Sequence, residues 1–214
     1  MGTGETADLS DAGERARRQA LLAAPHVAPL AALARALERE RKDTIVPMPD
    51  PLDGGVQASV LFLLEKPSKL SQNSRFISRD NASNGARTLR ALMDQAGVPR
   101  GAALIWNAVP WWNGTAAVTG EEQRAGAGAL DRLLALMPRL RAVALVGRKA
   151  ERVWGLSGGA AVPGFVSAHP SANVRAAFPD RWAAIPGVWA EAWAAARDAD
   201  QCAASGAPVT SPKT

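Results

Sequence analysis

Four short, almost continuously apolar segments recur along the middle of the chain. They span residues 58–64, 102–106, 141–146 and 161–167. Apolar character of this length without alternation is typical of strands buried on both faces, as in parallel sheets. Helical segments separate them. The pattern therefore predicts an α/β fold, a three-layer α/β/α sandwich with a central four-stranded parallel sheet.

Apolar residues three or four positions apart predict the helices around this sheet. Residues 11–42 form two such segments divided by prolines, 84–96 form another, and 148–154 form a short one after the third strand. Thr119 and Glu122 have the spacing of a capping box, which predicts the start of a further helix.

The domain organisation follows from these elements and from composition. We expect a helical arm at 1–44 packing on one α/β domain at 45–197, and a disordered Ala-, Ser-, Pro- and Gly-rich tail at 198–214. Three tryptophans near the end of the domain recur at near-helical spacing and predict a closing helix packed on the core: Trp182, Trp189 and Trp193.

The charge balance favours an anionic partner without identifying one. Lys and Arg number 25 against 20 Asp and Glu, which gives a net charge of +5. Such a surplus suits nucleic acid, because Lys and Arg contacts to phosphates supply most sequence-independent affinity. Many soluble proteins are equally basic, so the inference needs support from a site.

The single cysteine, Cys202, excludes an intramolecular disulfide and a multi-cysteine metal or iron-sulfur site. The N-terminus lacks an apolar signal segment, and no apolar stretch approaches the length of a membrane span. We therefore expect a cytoplasmic protein with no cofactor, no metal and no membrane contact.

Polar groups follow each predicted strand. They are a carboxylate at Glu65, an amide at Asn107, cations at Arg148 and Lys149, and an imidazole at His169. Because the carboxyl ends of parallel strands meet at one edge of a sheet, these groups should share one rim. There they could activate water, read a base edge, hold phosphates and stabilise an anion.

These segments resemble the uracil-DNA glycosylase superfamily, in order, over about 58–193. Leu-Glu-Lys-Pro-Ser at 64–68 is similar to its first motif and Ala-His-Pro-Ser at 168–171 to its second. Leu-Ile-Trp-Asn-Ala-Val-Pro at 104–110 is similar to the strand whose Asn reads uracil, and 143–150 match the strand and glycine turn between them. The resemblance implies a DNA repair enzyme that flips uracil out of DNA and hydrolyses its N-glycosidic bond, leaving an abasic site.

The resemblance also implies roles for individual residues. Glu65 would position the attacking water, His169 would stabilise the departing base anion, and Asn107 would read the uracil edge. The other expected substrate-binding residues are Lys66, Pro67, Phe76 and Asn81. The expected DNA-binding residues are Ser68, Arg148, Lys149, Ser171, Asn173 and Arg175. The expected partner is single- or double-stranded DNA containing uracil or a related lesion, bound by a monomer.

The chain departs from the superfamily pattern at the first motif. The branch with Glu two positions before the Pro usually holds a four-iron cluster on four cysteines, which this chain lacks. The branch that uses Asp places it next to the Pro, where Lys66 stands here. Water activation by Glu65 is thus an inference from position.

Two further functions of the family pattern have no single candidate. Ala172 and Asn173 replace the apolar wedge that fills the vacated base stack, which leaves Val174 or Arg175 for that role. Stacking on the flipped base has two candidates, Phe76 and Asn81.

Structural roles remain open for the same residues, and so do other functions. Glu65 could pair with Lys66 or Arg87, and Asn107 could cap the turn before Pro110. The fold could serve as a catalytically silent DNA-binding or lesion-sensing module. An unrelated α/β hydrolase or nucleotide-binding domain is disfavoured because its glycine-rich and nucleophile motifs are absent.

Overall fold

The structure is a computed structural model that describes residues 8–205, except the side chains of residues 70–72, 160 and 203–205. Its strands are β1 Met48–Pro49, β2 Val60–Leu64, β3 Phe76–Ile77, β4 Ala103–Asn107, β5 Ala142–Val146 and β6 Gly164–Ser167. Its helices are α1 Ala12–Leu21, α2 Ala28–Arg39, α3 Lys69–Ser74, α4 Asn84–Gln95, α5 Gly120–Leu134, α6 Arg148–Leu156, α7 Ala172–Ala177, α8 Pro179–Ala183 and α9 Ile185–Ser205. None of the described helices combines the length and the apolar character of a membrane span.

The central sheet has the strand order β4-β2-β5-β6, and all its pairs are parallel. Leu64 is opposite Asn107 at the end of β2 and β4, and Val146 is opposite Ser167 at the end of β5 and β6. The strand ends are therefore level, and residues that follow them meet at one edge. The predicted four-stranded parallel sheet is confirmed.

Helices cover both faces of this sheet. The chain moves one way from β2 to β4 and the opposite way from β4 through β5 to β6. Right-handed crossovers then place α4 on one face and both α5 and α6 on the other. Helix α9 returns to the α4 face, where Trp189 meets Phe62 edge to face at 5.2 Å. The three-layer sandwich is confirmed, and the capping box of Thr119 and Glu122 opens α5.

The N-terminal helices pack on the domain through different kinds of contact. Helix α2 buries an apolar stripe that includes Leu30, Leu33 and Leu37. Helix α1 instead inserts Arg18, which is 1% exposed and pairs with Asp50 and Asp80.

The C-terminal boundary differs from the expectation. Helix α9 continues to Ser205, so residues 198–205 are helical where composition predicted a disordered tail. Alanine has the highest helix propensity of any residue, and the Ala-rich end of this segment extends the helix instead of ending it. The rest of the predicted tail lies outside the described residues.

Candidate active site

A cavity of about 160 Å³ opens beyond the carboxyl ends of β2 and β4. Its lining includes Pro67, Ser78, Asn81, Asn107 and His169. The Leu64, Leu89 and Ile105 side chains add apolar wall. A small apolar cavity with a few convergent polar groups is the usual form of a site for a planar organic ligand.

A larger groove of about 740 Å³ lies next to this cavity. Both contain His169 in their walls, so the imidazole stands between them. The groove is lined by cations and by exposed apolar side chains: Arg148, Lys149, Arg152, Arg181, Val166 and Phe178. Its chemistry suits a phosphate backbone with attached bases.

Glu65 lines the groove and is not among the residues that line the cavity. Its Oε2 lies 3.2 Å from Nζ of Lys149, and its Oε1 accepts a hydrogen bond of 3.5 Å from the backbone N–H of Lys149. The structural alternative of an ion pair is therefore real, but the partner is Lys149 and neither Lys66 nor Arg87.

Gly147 allows Glu65 and His169 to approach each other. It has φ of 92°, and a Cβ there would lie 2.6 Å from Oε1 of Glu65 and 3.3 Å from Cβ of His169. Only glycine fits both the backbone conformation and the space. Because β2 and β5 are neighbours whose connections run in opposite directions, this is also where a ligand is expected in such sheets.

His169 is held in its neutral form. Burial lowers the pKa of its imidazole, Lys149 lowers it further, and Glu65 acts in the opposite direction. A neutral imidazole can donate one hydrogen bond to a developing anion. The backbone N–H of Ser171 donates to the carbonyl of His169 at 2.8 Å and fixes the loop.

Asn107 ends β4 and is 3% exposed. Its position is fixed because Ala108 N–H donates to Leu64 O at 2.8 Å and Val109 N–H donates to Glu65 O at 3.0 Å. Among the described residues, none forms a hydrogen bond with its side-chain amide, so the amide does not cap the turn before Pro110. It is available to a ligand in the cavity.

Lys66 lines the cavity, but its ammonium group is occupied elsewhere. Nζ donates to Asn113 Oδ1 at 2.8 Å, to Ala117 O at 2.9 Å and to Glu122 Oε1 at 2.8 Å. Burial raises the pKa of Glu122, but the hydrogen bonds that its carboxylate accepts have the larger combined effect. The bond from Lys66 is the strongest of them, and the pKa of Glu122 is therefore below its usual value. Lys66 therefore ties the loop after β2 to α5, and only its other atoms can contact a substrate.

Of the two stacking candidates, only Asn81 lines the cavity. Phe76 is 1% exposed in β3 and is not among the lining residues. The amide of Asn81 donates from Nδ2 to the carbonyl of Phe76 at 3.0 Å. The apolar wall of the cavity is formed instead by Pro67, Leu89 and the aliphatic residues at the strand ends.

The expected DNA-binding residues are divided between the cavity, the groove and α7 with its N-cap. Ser68 lines the cavity, Arg148 and Lys149 line the groove, and Asn173 and Arg175 are exposed on α7. Ser171 caps α7 by accepting a hydrogen bond of 3.3 Å from Val174 N–H. Its hydroxyl thus accepts a hydrogen bond within its own helix, and the residue lines neither the cavity nor the groove.

Sequence reasoning missed Phe178. This residue lies between α7 and α8, and it is 53% exposed in the wall of the groove. The guanidinium carbon of Arg181 is 5.4 Å from the centre of its ring. The sequence feature that could have identified it is a single aromatic residue within a short segment of Arg, Ala, Asp and Pro. An exposed aromatic ring beside cations is a common element of nucleic-acid surfaces.

A buried ion cluster behind the cavity wall was also missed. Its members are Arg18, Asp50, Asp53, Arg79, Asp80, Arg90 and Arg100. Ser78, which lines the cavity, donates to Asp50 and accepts from the backbone N–H of Asp80 at 2.9 Å. Burial, and then the charge of Asp50, raise the pKa of Asp53 to about 7.

Comparison with known proteins identifies the family. Residues 51–193, well over half of the chain, match the sequence model of the uracil DNA glycosylase superfamily. No curated protein matches the chain at a significant level. The matched range contains every predicted site residue as well as the sheet, and it leaves out α1, α2 and the end of α9.

Proposed function

We propose that this chain, which belongs to the uracil DNA glycosylase superfamily, removes uracil from DNA by hydrolysing its N-glycosidic bond. Members of this superfamily are glycosylases that act on DNA. The observation that carries the proposal is the position of His169, whose imidazole stands between a base-sized cavity and a cationic groove.

The cavity is the proposed pocket for the extruded base. A base inside a duplex is out of reach of any side chain, so the nucleotide must rotate out of the stack. The amide of Asn107 offers one acceptor and one donor, which match N3–H and O4 of uracil. Cytosine presents the reverse pattern at these atoms and would leave buried polar groups unpaired.

His169 and Glu65 act on opposite sides of the bond that breaks. As the bond stretches, negative charge grows on the base and positive charge on the sugar. The neutral imidazole donates a hydrogen bond to O2 of the base in the cavity. Glu65, in the groove beside the imidazole, orients water toward the sugar, and its location outside the base cavity is consistent with that task.

The groove is the proposed path of the DNA strand. Arg148, Lys149, Arg152 and Arg181 supply the positive charge that phosphates require. Phe178 replaces Val174 and Arg175 as our candidate for the wedge, because its ring is large, apolar and half exposed.

A second candidate function rests on the Glu65–Lys149 pair. A carboxylate already paired with a cation is a weaker base, which favours a catalytically silent module that binds the same lesions. Only the glycosylase would convert uracil-containing DNA to an abasic site; the silent module would bind the DNA and leave it unchanged.

The test is abasic-site formation on uracil-containing single- and double-stranded oligonucleotides. We expect the full chain to form abasic sites, and His169→Ala to lose this activity while still binding DNA. Arg132→Ala is the matched control, since Arg132 is an exposed cation that pairs with Glu40 and lines neither the cavity nor the groove. Binding without abasic sites in the wild type would select the silent module.

A further inference from the structure

Three arginines surround a hollow of about 320 Å³ beside the N-terminal helices. Arg35 and Arg39 belong to α2, and Arg75 directly precedes β3; we call these three residues the arm patch. The hollow is also lined by Gln19, Glu38 and Met48. Apart from Arg75, all of these residues lie outside the range that matches the superfamily model, so the hollow is a feature of this chain's own N-terminal region.

Arg75 is held in place from two sides. Its backbone φ is 64°, in the left-handed region that residues other than glycine rarely adopt, and Met48 N–H donates to its carbonyl at 2.7 Å. Glu38 accepts hydrogen bonds from its guanidinium at 2.9 and 3.2 Å, and it also accepts one of 2.8 Å from Val46 N–H. Backbone strain of this kind is often found where a ligand is bound, and here it presents a cation at a fixed position.

The arm patch carries more positive charge than its neighbours balance. Of the described residues that line the hollow, Glu38 alone is acidic, so three arginines and one glutamate leave a net charge of +2. Arg35 and Arg39 are exposed, and neither forms a hydrogen bond or an ion pair with another described residue. The next acid along the chain, Glu40, pairs with Arg132 at 2.8 Å. Such a surplus favours a polyanion as the partner of this surface.

The arm patch and the groove lie on opposite sides of the base cavity. The cavity opens beyond β2 and β4, and the groove lies at the ends of β5 and β6. Strand β4 is the edge strand next to β2. Residues 45–54, which contain β1, run antiparallel along its free edge, because Ile45 bridges to Trp112 and Gly54 N–H donates to Ala103 O at 2.9 Å. Strand β3 pairs with β1, so the arm patch lies beyond β4.

Arg75 is also close to the cavity itself. It precedes Ile77, a residue of the cavity wall, by two positions, and two residues span at most about 7 Å. Because β3 runs opposite to β4, Arg75 lies nearer than Ile77 to the carboxyl ends of the central strands, the edge that DNA would approach. A strand that places one nucleotide in the cavity continues on both sides of it. The groove can hold one flank, and the arm patch lies on the side where the other flank leaves.

We propose that the arm patch binds phosphates of the DNA strand on the side of the flipped nucleotide that the groove does not hold. The N-terminal helices then extend the DNA-binding surface of the α/β domain. This inference rests on the proposed function, which sets the position of the flipped nucleotide. Arginine suits the task because its guanidinium stays charged and can donate two parallel hydrogen bonds to phosphate oxygens.

The experiment measures how salt weakens binding to an undamaged single-stranded oligonucleotide long enough to cross both the groove and the arm patch. The test variant is Arg35→Ala with Arg39→Ala, since both side chains are exposed and unpaired and their removal should leave the fold intact. The matched control is Arg139→Ala with Arg197→Ala. It also removes two exposed cations, but near the amino ends of the strands, at the edge of the sheet opposite the cavity.

We expect the test variant to reduce the slope of log association constant against log salt concentration by about 1.4, because each phosphate contact on a single strand contributes about 0.7. Its affinity at low salt should fall about tenfold, and the control should match the wild type. A second measurement places uracil near the 5′ end or near the 3′ end of the oligonucleotide. The loss of kcat/KM in the test variant should be confined to the substrate whose strand extends past the arm patch.

A wild-type slope in the test variant, or an equal fall in the control, would overturn the inference and leave the glycosylase function intact. Equal losses with uracil near either end would also overturn it, because a general defect of the fold gives that result. If the test variant does not fold, Arg35→Gln with Arg39→Gln takes its place with the same expectations. A wild type that shows the expected slopes but forms no abasic sites ends the proposed function alone, and one that binds no DNA ends both.

Discussion

The Glu65 carboxylate and the Lys149 ammonium group lie 3.2 Å apart across the ends of two neighbouring strands, β2 and β5. Both side chains keep contact with solvent, at 21% and 38% exposure. Ion pairs this accessible contribute about 0 to 1 kcal/mol to stability. The ion pair therefore adds little to the stability of the fold. A catalytic role of Glu65 can be tested separately from this structural role.

Glu65→Gln should lower kcat on uracil-containing DNA by about 10²-fold or more, because the amide keeps the shape of the carboxylate but cannot attract and orient water in the same way. The free energy of unfolding should change by less than about 1 kcal/mol. Single-turnover base release and urea unfolding measure the two effects. Unchanged kcat together with reduced stability would assign Glu65 to the ion pair alone.

His169→Ala should lower kcat by about 10² to 10³-fold, the usual effect of removing a donor to a developing anion. In the wild type, burial lowers the pKa of the His169 imidazole from its ordinary value, so it is protonated only at a lower pH than an exposed histidine would be. We expect any loss of kcat that protonation of His169 causes to occur at that lower pH. A step in the wild-type pH profile above 6.5 that vanishes in His169→Gln would contradict this assignment.

The same shift has a defined sign for stability. Below pH 6.5 the unfolded chain protonates this histidine before the folded chain does, so the free energy of unfolding falls as the pH decreases through that window. His169→Gln should remove this part of the acid sensitivity.

Much of the fold was accessible to sequence reasoning because its strands carry strong local signals. Residues 60–64 and 142–146 are apolar without interruption, and a strand buried on both faces is the structure typical of that pattern at that length. The level strand ends follow from the parallel sheet itself. That is why Glu65, Asn107 and His169 could be expected near one another.

The directions of side chains at the rim could not be predicted in the same way. Lys66 looked like a substrate contact because it follows the strand, yet Glu122, more than fifty residues away, binds its ammonium group. Phe76 looked like a stacking residue because it is aromatic, yet β3 places it in the core. Both outcomes depend on long-range packing that no local pattern records.

Lys66→Met should destabilise the fold by about 3 kcal/mol, because it leaves Glu122 without its cation at a site where the lysine side chain is 3% exposed. We expect a lower denaturant midpoint and nearly unchanged KM for uracil-containing DNA below that midpoint. The double variant Lys66→Met with Glu122→Leu should recover much of the stability, since it removes the unpaired charge. A selective rise in KM with normal stability would restore Lys66 to the list of substrate contacts.

Asp53→Asn should change how stability depends on pH. The Asp53 carboxyl, whose pKa is raised to about 7 by burial, holds its proton in the folded chain between about pH 4 and 7, where the unfolded chain releases it. The folded state then binds more protons, so the free energy of unfolding falls as the pH rises through this window, and the penalty is complete above about pH 7.

Asparagine cannot ionise, so Asp53→Asn should lack this fall, and its stability relative to the wild type should be more favourable at pH 8 than at pH 5. Urea unfolding at both values measures the difference. Asp180→Asn, at an exposed aspartate in α8, provides the control. A difference that is the same at both pH values would show that Asp53 is ionised throughout, paired with Arg100 at 3.0 Å.

Phe178→Ala should impair action on duplex DNA while leaving the fold intact. The ring is 53% exposed, so its removal should change the free energy of unfolding by less than about 1 kcal/mol. A wedge contributes only where a base pair must be opened and its place in the stack filled, at a free-energy cost of a few kcal/mol. We therefore expect kcat/KM to fall about tenfold or more on double-stranded substrate and about threefold or less on single-stranded substrate.

Val174→Ala, one turn earlier on the same wall of the groove, is the matched comparison. Equal losses on both substrates would instead make Phe178 a stacking platform for the unpaired strand, and no loss on either would return the wedge role to Val174 or Arg175.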